Sequence, residues 1–168
     1  MEDVNFLKSV TLFLEFEPDE LEHLRRSLQS SHFGPGDLIL EEGRPNRALH
    51  IVKSGRIRVT RQVHDREVPL CDLVAGQTFG ELSIIEDGVA SATLKAVTDT
   101  ETLSLSMHDL ATFLRAKPAA AAKFWREIAV DLRRRLIQTN DVVRSYFEVN
   151  RALVENPTFR EAYAMCNK

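Results

Sequence analysis

The stretch Phe79-Gly80-Glu81-Leu82-Ser83-Ile84-Ile85 sets a carboxylate beside a glycine at the start of a short apolar run, followed by Glu86-Asp87-Gly88 and then Ser91-Ala92-Thr93-Leu94. A single helical turn inside a series of strands presents free backbone N–H groups and a positive dipole end, which favours an anion such as phosphate. Glu81 beside that turn can accept hydrogen bonds from sugar hydroxyls. By spacing alone, an ordinary turn with a solvated glutamate explains Gly-Glu-Leu as well. The other candidates for chemistry are weaker. His23, His32, His50, His64 and His108 show neither HxH nor HExxH spacing, so a metal centre of the cupin type has no ligand pattern here. Ser106, His108 and Asp109 stand too close in sequence to converge as a nucleophilic triad and read as a helix cap. His50, inside an apolar run, reads as a satisfied core or edge histidine. No catalytic residue and no metal ligand is expected.

The elements around the turn follow from periodicity. Up to about residue 30 the chain reads as helix, with Val4, Phe6, Leu7 and Val10 at helical spacing, then Leu21, Leu24 and Leu28. Pro18-Asp19-Glu20 marks the start of the second helix. Between Phe33 and Met107 the pattern changes to short Ile-, Val-, Leu- and Thr-rich runs punctuated by Gly34, Gly36, Gly43, Gly55, Gly76, Gly80 and Gly88. That texture predicts a mainly β fold with flanking helices, a β-roll or jelly roll of eight or so strands. Arg56-Ile57-Arg58-Val59-Thr60 alternates, with Ile57 and Val59 toward the core, and His64-Asp65-Arg66-Glu67 reads as a hairpin tip. Ser91-Ala92-Thr93-Leu94 reads as strand again.

Ser106 with Asp109 predicts a capped helix through Arg115, and Pro118 opens a much longer one. Trp125, Ile128, Leu132, Leu136, Thr139, Val143 and Tyr146 repeat by threes and fours along it. Packing on the β domain and dimerisation both explain such a stripe. Asn156-Pro157 ends this helix, and Thr158-Phe159-Arg160-Glu161 offers a cap for a short terminal one. The organisation expected is a roll with N-terminal helices over 1–116, a long helix over 117–155 and a tail over 156–168.

With 168 residues and 19.1 kDa the chain suits one domain plus a long accessory element. Its 43% hydrophobic and 28% charged residues exclude disorder and low complexity, and a net charge of -3 gives no global attraction to nucleic acid or an anionic membrane. Any basic patch is local: Arg56, Arg58 and Arg61 on one strand, Arg133, Arg134 and Arg135 on the long helix. Cys71 and Cys166 stand far apart without CxxC spacing, which fits a reducing compartment. An acidic N-terminus and the absence of an apolar span make the cytoplasm the expected location, with no membrane contact.

The wider pattern carries a resemblance. Phe33-Gly34-Pro35-Gly36-Asp37-Leu38-Ile39, Gly43, Leu49-His50-Ile51-Val52, Gly55-Arg56-Ile57-Arg58-Val59 and Phe79-Gly80-Glu81-Leu82, in that register, closely resemble the cyclic nucleotide-binding domain family over about residues 5 to 145. The order of helices, roll and long helix is also that of the bacterial catabolite activator proteins. The resemblance implies that the segment after Gly80-Glu81-Leu82 is a phosphate-binding cassette. It implies that Gly80 and Glu81 hold a ribose 2′-hydroxyl and that Ser91 offers its hydroxyl and N–H to a cyclic phosphate. On the long helix it implies that Arg135 braces Glu81 while Thr139 and Asn140 face the purine, one of them across a dimer.

One position departs from the family pattern. The phosphate arginine immediately precedes the residue matched by Ser91, and here that position is Ala90. An arginine fork neutralises the phosphate with two charge-assisted hydrogen bonds, which alanine cannot supply. The expected ligand binding is therefore weak or altered. Arg44, Arg47 and Lys95 are the nearest candidate substitutes, each equally well explained as a surface charge. A homodimer through the long helix and an effector protein are the expected partners. Direct DNA binding is not expected, because the dozen or so residues after Asn156 have no room for two helices and a wing. Three readings remain: a ligand-gated regulatory module, a ligand-free dimerisation or interaction module, and, least favoured, a cupin-type enzyme.

Overall fold

A computed structural model describes residues 2–81, 83 and 88–158. Helix α1 (Glu2–Leu7), a 3-10 turn (Thr11–Phe13) and helix α2 (Pro18–Arg25) come first. Pro18 occupies the first turn of α2, where its missing N–H has no helical partner to lose, and the Glu20 carboxylate accepts the Glu17 N–H at 2.8 Å in a reciprocal cap. The helix does not reach Leu28 as the spacing predicts. Leu28 instead opens an edge strand, β1 (Leu28–Phe33), which pairs with β8 (Thr100–Ser106), Leu28 opposite Leu105.

Six further strands lie between them: β2 (Leu38–Leu40), β3 (Ala48–Ser54), β4 (Arg56–Val63), β5 (Arg66–Val74), β6 (Thr78–Phe79) and β7 (Thr93–Ala96). They build two antiparallel four-stranded sheets, ordered β1-β8-β3-β6 and β2-β7-β4-β5. This is the β-roll the glycine punctuation predicts. Between the sheets, Val52 and Phe79 of one meet Ile57, Leu73 and Leu94 of the other, with Ile39, Leu40 and Val59 packed against them. Each such side chain contributes about 1.5–3 kcal/mol when fully buried.

Local departures have local causes. Ile57 is buried while Arg56 and Arg58 are exposed, and the ladder from β4 to β5 shifts after Val59: Val59 pairs with Cys71 and Thr60 with Pro69, leaving Leu70 as an extra residue on β5. Thr60 is also buried, and its hydroxyl donates to Glu67, which pairs in turn with Lys95. The hairpin tip is shorter than predicted: Val63 already pairs with Arg66, so only His64, at φ 53°, and Asp65 turn the chain. Strand β7 begins at Thr93, with Ser91 and Ala92 in a bend rather than in the strand.

Helix α3 (Met107–Ala116) starts as its cap predicts: the Asp109 N–H donates to Ser106 Oγ at 3.1 Å. Helix α4 (Pro118–Glu155) follows at once. Phe16 stacks on Phe113 at 6.0 Å, Lys117 reaches Asp19 at 2.7 Å and Lys123 reaches Glu20 at 3.3 Å. These contacts tie α2 to α3 and to the first turns of α4, where Ala120, Phe124 and Ile128 are buried. Two compact units result, Met1–Ile128 and Ala129–Lys168, with α4 contributing to both. α4 ends before Asn156, as predicted, while the expected terminal helix and Cys166 fall outside the described residues. No described helix is long and apolar enough to cross a membrane.

Candidate functional site

Strand β6 leads into the turn at Gly80. There φ is +82°, and a Cβ would stand 2.6 Å from Asn46 Nδ2 and 2.7 Å from the Ala48 carbonyl oxygen. Only glycine allows the chain to pass this close to the loop before β3. Gly80→Ala is expected to lose about 2 kcal/mol or more of stability, read as a lowered urea midpoint with an unchanged slope. The next residue, Glu81, is 3% exposed, so the carboxylate singled out by the sequence lies inside the protein and not in solvent. Leu82 and residues 84–87 lie outside the described residues. Ser83 is buried, and its N–H donates to the Gly80 carbonyl at 3.2 Å.

The chain returns through Gly88, whose carbonyl accepts the Asn46 N–H at 2.6 Å, and through a bridge between Val89 and Pro45. Ala90 is 5% exposed, and its backbone is held on both sides: its N–H donates to Arg44 and its carbonyl accepts from Gly43, each at 2.9 Å. Ser91 is exposed. Gly80 and Ser83 on the outgoing arm and Gly88, Val89 and Ala90 on the returning arm thus all meet the segment 43–50, with Glu81 and Ser91 their chain neighbours.

The cations proposed as substitutes are differently placed. Arg44 Nε is 3.2 Å from Glu41, and Lys95 Nζ is 3.0 Å from Glu67, whose carboxyl is held below its ordinary range by hydrogen bonds from Thr60 and then Lys95. Arg47 is exposed beside the returning arm, its Cγ within 4.0 Å of where a Gly88 side chain would start. Two of the three strand arginines are paired in place: Arg58 with Asp72 at 2.8 Å and Arg61 with Glu42 at 3.1 Å.

Beneath the loop lies a polar cluster that the sequence did not single out. Asn46 Nδ2 donates to the Ala48 carbonyl at 3.0 Å and to Ser83 Oγ at 3.3 Å, and Ser83 Oγ donates onward to the Val89 carbonyl at 3.1 Å. His50 Nε2 is 3.1 Å from Asn46 Oδ1, an atom that only accepts, so Nε2 carries the imidazole proton. The ring stacks on Phe79 at 4.8 Å, confirming it as a satisfied core histidine. Burial lowers its pKa from 6.5 to about 4. In that interval the unfolded chain binds the extra proton, so stability is full above about pH 6.5 and falls by up to about 3 kcal/mol as the pH drops through 4. His50→Gln, which keeps an N–H for Asn46, should flatten this part of a urea-midpoint profile. Carboxylates held down by ion pairs, such as Glu22 at about 2 beside Arg25, act at lower pH.

The remaining predicted residues belong to the second unit. Arg135 Nε pairs with Asp131 at 2.8 Å, and Thr139 Oγ1 donates to the Arg135 carbonyl at 2.9 Å, a bond back to its own helix. Asn140 is exposed.

The chain is similar to several known proteins. Residues 30–117 match the family described as cyclic nucleotide-binding domain. The Cyclic AMP receptor protein of Thermus thermophilus is 31% identical over 160 residues, covering 95% of this chain and 69% of that protein. The CRP-like cAMP-activated global transcriptional regulator of Mycobacterium tuberculosis is 29% identical over 124 residues, covering 73% of this chain and 55% of that protein. The crystal structure of the N-terminal domain of a transcriptional regulator from Streptomyces coelicolor superposes with a TM-score of 0.67 at 32% identity, over 84% of this chain and 95% of that one.

Proposed function

The chain belongs to the cyclic nucleotide-binding domain family, and we propose that it is a non-catalytic regulatory module whose degenerate cassette binds cyclic mononucleotides weakly or takes an altered ligand. One observation supports the reading: Ala90, where the resemblance implies the phosphate arginine, is buried and has its backbone fixed on both sides. A methyl group there leaves a cyclic phosphate to neutral donors, namely backbone N–H groups and Ser91, each contributing about 1 kcal/mol. Glu81 and Gly80 retain the sugar-binding half of the pattern that the resemblance implies. The module acts by a two-state shift in which the occupied site biases the long helix and a protein partner reads the change.

A second reading, a ligand-free interaction module on the same fold, is favoured by one observation: beyond Ile128, α4 carries exposed Leu136, Val143, Tyr146 and Phe147. In both readings the long helix forms a homodimer. Titration against a panel of cyclic mono- and dinucleotides, with native mass spectrometry of the purified protein, separates them. A bound or saturable nucleotide supports the first, and no binding at millimolar concentration supports the second.

A further inference from the structure

We propose that Asn46 is the positioning residue of the cassette, seating both arms of the loop on β3 before any ligand arrives. The inference rests on the reading of residues 80–91 as the cassette, but not on what that cassette binds. Asn46 meets each arm by a different group. Its side chain holds the outgoing arm through Ser83 Oγ, its main-chain N–H holds the returning arm at Gly88, and Ser83 links the two by donating to Val89. The same carboxamide is fixed to β3 by Ala48, through both its N–H and its carbonyl, and by His50. Asn46 is 4% exposed and Ser83 7%, so water does not replace these bonds when one is lost.

Gly80 belongs to the same arrangement, since any side chain there would strike the Asn46 amide. The consequence concerns how the site works without its arginine. Where a charged contact draws a cassette down onto bound phosphate, seating and binding are one event. Here the seat is built from the protein's own neutral groups, so Ser83 on one arm and Gly88 to Ala90 on the other are held without a ligand.

Amide hydrogen exchange of the ligand-free full chain tests this, with the Ser83 and Ala90 amides as reporters of the cassette and the Leu103 and Leu105 amides of β8 as reporters of the whole roll. Asn46→Ala and Ser83→Ala should each speed exchange at position 83 and at Ala90 by about ten-fold, with β8 unchanged. Ser83→Thr, which keeps the hydroxyl, should restore protection. The His50 Nε2–H resonance supplies a signature that loose packing alone would not move in this pattern: it persists in Ser83→Ala and is lost in Asn46→Ala. If Asn46→Ala does not fold, Ser83→Ala decides alone. Exchange at Ala90 within about two-fold of the parent in a folded variant overturns the proposal, as does equal acceleration at β8. A failure to bind any cyclic nucleotide bears on the ligand reading and leaves this measurement untouched.

Discussion

Ala90→Arg binds cyclic AMP at least about ten-fold more tightly than the parent protein in a calorimetric titration. The expectation follows from what the position lacks and what it keeps. Its backbone is already pinned between Arg44 and Gly43, so a new side chain starts from a fixed point. A guanidinium adds two charge-assisted hydrogen bonds and one neutralising charge. Removing one partner from a buried ion pair costs roughly 3–5 kcal/mol, and restoring it against neutral donors of about 1 kcal/mol each leaves a gain well above ten-fold. Two other outcomes are equally informative. Tight binding by the parent would mean that another cation reaches the phosphate, and Arg47 beside Gly88 is the one to substitute next. No gain from a folded Ala90→Arg protein would mean that the pocket has closed or been rebuilt, and the interaction-module reading would then lead.

What the sequence made legible was local chemistry. Pro18, the Ser106 cap, Pro118 and Asn156 each act within one helical turn of themselves, so helix boundaries at those points follow from the residue type. The glycines and the Gly80-Glu81 turn mark the roll because a positive φ is a property of a single position. Non-local structure was not legible. Leu28–Phe33 is exposed along most of its length and shows no apolar alternation, so its strand character comes from the ladder to β8 some seventy residues away. The extra Leu70 on β5 shows only once that strand is paired with β4. Asn46 is a polar loop residue by any local criterion. Its role arises only when β3 and β6 pair, bringing His50 opposite Phe79 and Ser83 within reach of its amide. Glutamate 81 was found by motif, but its burial is a tertiary fact that no spacing encodes.

Leu132→Glu combined with Leu136→Glu is expected to turn the proposed dimer into a folded monomer. Helix α4 has 38 residues and is about 57 Å long. Its first turns bury Ala120, Phe124 and Ile128 within the Met1–Ile128 unit, which accounts for that part of the stripe as core. Leu132 is half-buried, and beyond it the apolar positions are exposed in the single chain: Leu136 at 61%, Val143 at 47% and Tyr146 at 65%. They continue the spacing of threes and fours, while pairs such as Arg144 with Glu148 and Arg151 with Glu155 support the helix along its length. A long exposed apolar seam on one helix is matched most simply by the same seam on a second copy, because a two-fold contact makes the surface its own complement. Two buried glutamates facing each other across that seam would carry a desolvation and repulsion cost of several kcal/mol, more than the seam gains from two leucines. Sedimentation equilibrium on the order of tens of micromolar should show a dimer for the parent and a monomer for the variant. The thermal transition of the roll should survive, since neither leucine belongs to its buried core. A monomeric parent would remove the seam from the account, and with it the placing of Thr139 or Asn140 across a dimer.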